Sequence, residues 1–290
     1  MLFLSAIASL AFAGQLEITW LDVNQGDAQL IKFPDGETML VDAGPTGKGR
    51  EVVLPYLQSQ GISHLDYVVN SHFHSDHFGG LDEVLAVIPA TTCFDRGLDQ
   101  VPSTTAYRQY EAAVKNCRKT ATINQVLQVG EVTVTFTSVD GFISQPGNTF
   151  IKMEGLDEND RSVSFLLQYK NFRYWTGGDI GGGGIGSENA ESRLAPALGH
   201  VDVLKVSHHG SASASNQDFV SSTHPLDVVV SCGDGNRYNH PAAASVVRWE
   251  VSGAKVYQTD DCYYKTSATV VADKAVKLVS GGLGFAIYTE

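Results

Sequence analysis

The sequence is short of cysteine, of long apolar runs and of positive charge, and each shortage narrows what it can be. Four cysteines occur in 290 residues, Cys93, Cys117, Cys232 and Cys262. None forms a CxxC pair, and no histidine stands at finger-like spacing from them, which excludes a zinc finger. No segment approaches the roughly 18–20 consecutive apolar residues of a membrane-crossing helix, so no membrane span is expected. Twenty Lys and Arg face 32 Asp and Glu, a formal net charge of −12. Such a surface does not attract a polyanion at long range, although bound cations would supply positive charge locally. The chain has no linker, internal repeat or low-complexity tract. The glycine run 181–184 lacks the lysine of a P-loop and reads as slack that lets a substrate approach the backbone.

At the N-terminus, "MLFLSAIASLAFAGQ" is an apolar run ending in the small-x-small pattern Ala11-Phe12-Ala13. It reads as a signal peptide over residues 1–13, leaving a soluble, exported domain over 14–290. In an exported chain an even number of cysteines suggests two disulfides, and the sequence-local pairing Cys93–Cys117 and Cys232–Cys262 is expected among the three possible.

Periodicity predicts strands in "QLEITWLDV", "GDAQLIKF" and "ETMLVDAG", the last two joined by a turn at Pro34-Asp35-Gly36. Helices are predicted at about 50–60, from Gly79 through "LDEVLAVI", over 103–118, and near 188–198, 215–222 and 241–252. A buried strand is predicted in "LDYVVNSH", and further strands in "EVTVTFTSV", "SVSFLLQY", "FRYWTGGD", "VDVLKVSHHG" and "LDVVVSCGDG". Strand clusters interleaved with helices in two similar halves indicate one α/β unit of layered sheets.

Of nine histidines, three fall within "NSHFHSDHFGG", residues 70–80. His72 and His74 are two apart and face one way in an extended chain, and Asp76 and His77 follow after the chain turns. Neutral imidazole and carboxylate suit Zn²⁺, and also Mn²⁺ or Fe²⁺. Four such ligands feed two metals more naturally than one, with His72 and His74 on the first and Asp76 and His77 on the second.

"SHFHSDHFGG" resembles the HxHxDH signature of the metallo-β-lactamase-fold hydrolases. That resemblance implies an αββα sandwich, two mixed β-sheets flanked by helices, with metals at the sheet ends. It also implies roles for Asp42 in "LVDAG", Asp179 in "WTGGD" and the pair His208-His209 in "KVSHHGS", and covers about residues 15–265. Within the superfamily, "LDVNQGDAQLI", "LVDAG", "GGD", "DVLKVSHHGS" and "NRYNHP" look similar to the extracellular hydrolase domain of the competence protein ComEC and to the phosphorylcholine esterases. By that likeness Asp179 bridges the two metals and a histidine of the 208–209 pair completes the second; the sequence leaves the choice between them open, with His209 favoured. Many superfamily members take a further ligand histidine from an intervening loop, but none occurs from 78 to 199. That region offers Asn159 and Asp160, so the first metal is expected to rest on His72, His74 and Asp179 and to be partly occupied.

The resemblance implies phosphodiester hydrolysis, for which paired cations would lower the pKa of bound water to about 7. Asp76 and Asp179 would hold metal and orient the attacking oxygen. His240 would stabilise or protonate the leaving oxygen, and Asn236, Arg237 and Tyr238 would hold phosphate oxygens. Asp42 reads either as a partner orienting a ligand histidine or as a turn residue. His64, His200 and His224 read as bystanders. A phosphodiester, extracellular nucleic acid included, is the expected substrate. Carboxyl-ester or lactone hydrolysis on the same dinuclear site, and a non-catalytic binding module, are the alternatives.

Overall fold

The computed structural model describes residues 14–184 and 186–290; the expected signal peptide lies outside them. The chain opens with three antiparallel strands, β1 (Leu16–Leu21), β2 (Gln29–Lys32) and β3 (Thr38–Val41). The turn between β2 and β3 is closed by Gly36 N–H donating to the Phe33 carbonyl, where the Pro-Asp-Gly signal placed it. Three more strands continue this sheet in parallel from β3: β4 (Leu65–Val69), β5 (Ala90–Asp95) and β6 (Arg118–Thr120).

A second sheet follows. Its antiparallel part holds β7 (Val126–Val129), β8 (Val132–Val139), β9 (Phe142–Gln145), β10 (Thr149–Lys152), β11 (Ser164–Tyr169) and β12 (Phe172–Thr176). From β12 it runs parallel through β13 (Val203–Lys205), β14 (Asp227–Val230), β15 (Lys255–Gln258) and β16 (Val270–Val271). The last strands, β17 (Ala275–Ser280) and β18 (Phe285–Thr289), return to the first sheet beside β1.

Strand alternation builds three cores. Ile31, Met39, Val41 and Val69 of the first sheet meet Phe165, Leu167, Tyr174 and Val229 of the second in a core between the sheets. The neighbouring positions Leu30, Leu40 and Val68 point the other way, onto the face covered by helices α1 (Leu54–Ser59), α2 (Ser75–Phe78), α3 (Leu81–Leu85) and α4 (Thr105–Val114). Likewise Trp175, Leu204, Val228 and Val230 pack under α5 (Ala190–Leu198), α6 (Gln217–Thr223) and α7 (Ala243–Val251). Two mixed sheets, face to face and each with helices outside, make the αββα sandwich that the resemblance implied. A period of two places successive side chains in different layers, so each strand needs apolar residues on both faces.

The predicted helices and the principal strands are present, but the pattern did not disclose β5 to β7 or the β9–β10 hairpin. Thr149–Lys152 is largely exposed and Arg118–Thr120 is polar, so neither carries the apolar signal. Helix α4 ends at Val114 rather than 118, because residues 115–117 turn to lead into β6. Both cysteine pairs are disulfides as expected, Cys93–Cys117 and Cys232–Cys262. Among the described residues no helix is long and apolar enough to cross a membrane.

Candidate metal centre

In a parallel run the C-terminal ends of neighbouring strands share one edge, and the loops leaving there converge. In the first sheet that edge carries Asp42 after β3 and residues 70–77 after β4. In the second it carries Asp179 after β12, His208 and His209 after β13, and residues 233–240 after β14. The two edges abut.

His72 and His74 turn inward from extended chain, with His72 Nε2 3.1 Å from His74 Nδ1. Phe73 between them points away, into the outer core beside Phe78, Tyr107 and Tyr110. The short α2 then brings Asp76 and His77 round. Asp179 sits at the centre: its Oδ2 lies 3.2 Å from His77 Nε2, 3.4 Å from His209 Nε2 and 4.0 Å from His72 Nε2. Asp76 Oδ2 lies 3.4 Å from His209 Nε2, and His77 Nε2 is 3.2 Å from the same nitrogen. Gly178 reaches this point at φ +56°, where a Cβ would also press on Ser162 and Ser71, so the Gly-Asp step needs its glycine.

Hydrogen bonds behind the rings turn Nε2 toward the centre. His77 Nδ1 donates to Asp42 Oδ2 at 2.9 Å, and His209 Nδ1 donates to the Ser231 carbonyl at 2.9 Å. Asp42 is itself held by the Ser71 N–H at 2.7 Å and Ser71 Oγ at 2.6 Å. Such partners fix the tautomer and leave the other nitrogen's lone pair free. His208 and His209 both lie in the left-handed region, at φ 50° and 51°. This departure from strand geometry sends the rings to different places. His209 joins the cluster, while His208 Nε2 stands 3.4 Å from Asn159 Nδ2 on the wall.

The buried carboxylates dominate the field. Burial alone would push His77 and His209 down, but Asp179 together with Asp42 or Asp76 holds both well up, His209 at about 10. Burial favours the neutral form of Asp179 and Asp76, and the neighbouring histidines outweigh it, holding both carboxyls below their usual range. Burial, then His77, pushes His72 well down. Burial, then His209 and His208, pushes His240 down to about 4.

A cavity of about 330 Å³ opens onto the cluster, lined by His74, Asp76, Asp179 and His209, with Gln25, Asn159, His208, Tyr238 and His240 on its walls. Asn236 and Arg237 do not line it. The Asn236 amide is spent inside its own loop, donating to the Gly233 and His240 carbonyls and accepting the His240 N–H. Arg237 is at the surface, its guanidinium 4.9 Å from the Tyr238 ring centre. Asp160 is turned to Asp157 rather than to the centre. In the glycine run, Gly181 and Gly182 are not slack beside the site but pack against Ser187, Glu188 and Glu191, whereas Gly184 has open space around it. His64 and His200 bind Thr91 and Asp202 away from the cavity, and His224 caps α6.

Sequence reasoning missed Asp27 and Lys205. Both are fully buried, and Lys205 Nζ pairs with Asp27 Oδ2, donates to the Gly178 carbonyl at 3.2 Å and stands 3.8 Å from Asp179 Oδ1. Two signals were available. "QGD" repeats the Gly-Asp step of 178–179, and a lysine inside the apolar run "VDVLKV" must have a buried counter-charge.

Residues 21–151 match the Metallo-beta-lactamase superfamily. Over that stretch, rather less than half of the chain, the sequence is that of a metallo-β-lactamase superfamily domain. It is 23% identical over 267 residues to ComE operon protein 3 of Bacillus subtilis (strain 168), covering 84% of this chain and 32% of that protein. To Competence protein ComA of Neisseria gonorrhoeae it is 25% identical over 245 residues, covering 84% and 31%. The chain therefore spans about a third of these curated relatives. The metallo-beta-lactamase fold protein YhfI from Bacillus subtilis superposes with a TM-score of 0.50 at 13% identity, covering 92% of this chain and all of that one.

The donors fit what such a domain holds. Ligand atoms of His72, His77 and Asp179, and separately of Asp76, His77 and His209, lie within 4.8 Å of one another. Asp179 Oδ1 is buried without a hydrogen-bond donor. Carboxylates that favour positive charge on two buried imidazoles also favour a divalent cation between them, and imidazole with carboxylate is the donor set for zinc, manganese or iron.

Proposed function

We propose that this domain is an exported, metal-dependent phosphodiesterase, with nucleic acid or a smaller phosphodiester as substrate. The observation that carries it is the position of Asp179 Oδ2 among the Nε2 atoms of His77, His209 and His72, where one carboxylate would serve both cation sites. His72, His74 and Asp179 would hold one cation, and Asp76, His77, His209 and Asp179 the other. Bound divalent cations supply hydroxide at neutral pH and charge for the phosphoryl oxygens. Asp42 and the Ser231 carbonyl keep His77 and His209 aimed while that charge changes. His240, neutral at pH 7, offers an N–H to a leaving oxygen rather than a stored proton. Asn159 and Tyr238, on the cavity wall, would hold phosphate oxygens. The likeness to competence proteins supports a nucleic-acid substrate, while the net charge of −12 favours a short one. Two disulfides suit an oxidising compartment.

The test is turnover of bis(p-nitrophenyl) phosphate, short DNA, a phosphocholine ester and a lactone by protein with and without added Zn²⁺ or Mn²⁺. Phosphodiester turnover that falls at least 100-fold in Asp179→Ala and Asp76→Ala is expected. Turnover of the lactone alone would move the assignment to carbonyl hydrolysis, and inertness with retained nucleic-acid binding would make the domain a binding module.

A further inference from the structure

Between His72 and His74, Phe73 presents its backbone N–H to Glu158 Oε1 at 2.7 Å. Glu158 is itself gripped by Arg96, Nε to Oε1 at 2.8 Å and Nη2 to Oε2 at 2.7 Å. Arg96 is only 1% exposed, its Nη1 donates to the Asp99 carbonyl at 2.6 Å, and its guanidinium lies 4.5 Å from the Phe73 ring centre. One arginine thus covers the Phe73 ring while the carboxylate it holds binds the Phe73 backbone. Glu158 precedes Asn159 in the same loop that supplies no histidine, so this loop reaches the centre through the backbone of the ligand segment.

We infer that Glu158, held by Arg96, is a positioning residue that fixes the His72–Phe73–His74 segment and so sets the affinity of the first cation site. A two-residue ligand pair on one extended segment is aimed by the backbone between the ligands, and there the Phe73 N–H bonds a carboxylate that Arg96 fixes through two charge-assisted hydrogen bonds. The inference rests on the proposed assignment of His72 and His74 as ligands of one cation and Asp76, His77 and His209 as ligands of the other.

The experiment is Zn²⁺ titration of chelator-treated full-length protein against a chromophoric competitor, for wild type, Glu158→Ala, Glu158→Gln, His74→Ala and the double variant Glu158→Ala/His74→Ala. Circular dichroism and thermal unfolding in chelator establish that each variant folds; should Glu158→Ala fail, Glu158→Gln, which keeps an acceptor for the Phe73 N–H, carries the test. Wild type should take up two equivalents. Glu158→Ala should weaken one of them tenfold or more and leave the other within about twofold, Glu158→Gln should fall between, and Glu158→Ala should add little in the His74→Ala background. Equal weakening of both equivalents, or wild-type titration of a folded Glu158→Ala, overturns the inference while leaving the proposed function standing. A wild type that takes up no Zn²⁺ overturns both.

Discussion

Lys205 and Asp27 show what a single buried charge can require. The ammonium is fully buried at the end of β13, and although burial disfavours its charge, Asp27 and Asp179 hold it above the ordinary lysine range. Removing Asp27 leaves Lys205 only the more distant Asp179, and removing Lys205 leaves Asp27 only the rings of His77 and His209; breaking a buried pair typically costs about 3–5 kcal/mol, while removing both members can be nearly neutral. Asp27→Asn and Lys205→Met should each lower the free energy of urea unfolding by about that much, and Asp27→Asn/Lys205→Met should recover a large part of it. A double variant as unstable as the sum of the two singles would show that the pair is not coupled. The pair stayed hidden in the sequence because its partners are 178 positions apart and meet only where the two sheet edges abut. The histidine cluster was legible because its members are neighbours in the sequence.

At the scale of the element, α5 is tied to the loop after the His208–His209 turn by one carboxylate. Glu191 accepts the backbone N–H groups of Ser215 and Asn216, both at 2.9 Å. Burial pushes its carboxyl up to about 7, against those hydrogen bonds. The folded state therefore binds more protons than the unfolded chain between about pH 4.5 and 7. Stability from this group is greatest below the lower value and is lost as pH rises through the higher one. The span amounts to about 3 kcal/mol by the usual conversion. Wild-type stability should fall between pH 5 and 8 by about that much more than that of Glu191→Gln, measured by chemical denaturation; parallel pH curves would rule the carboxylate out. Helix α5 was readable from its apolar spacing, but not the role of a glutamate on its buried face, which depends on a loop that folds over it.

For the molecule as a whole, the two disulfides act on different layers. Cys93–Cys117 joins β5 to the segment before β6 at the edge of the first sheet, whereas Cys232–Cys262 ties the start of the 233–240 loop, and so His240, to the loop after β15. Losing a native bridge typically costs about 2–5 kcal/mol. Cys93→Ser/Cys117→Ser should lower the unfolding midpoint with little change in kcat. Cys232→Ser/Cys262→Ser should lower both, with kcat falling at temperatures where the circular dichroism is still native. Equal kcat in the two variants would mean that the bridge does not set the His240 loop.

What this protein owes to its sequence alone is local: the period of two that sends apolar residues to both faces of each strand, the turn at Pro34–Gly36, and a cluster of histidine and aspartate compressed into residues 72–77. Tertiary structure decided whatever required separate strand ends to meet. It selected His209 over His208 for the cluster through two left-handed residues, turned Asn236 inward to hold its own loop, and set Arg96 and Glu158 against the backbone between two histidines. The physical reason is that spacing along a chain fixes directions only within one element, while the aim of a side chain at a sheet edge depends on the neighbour packed beside it.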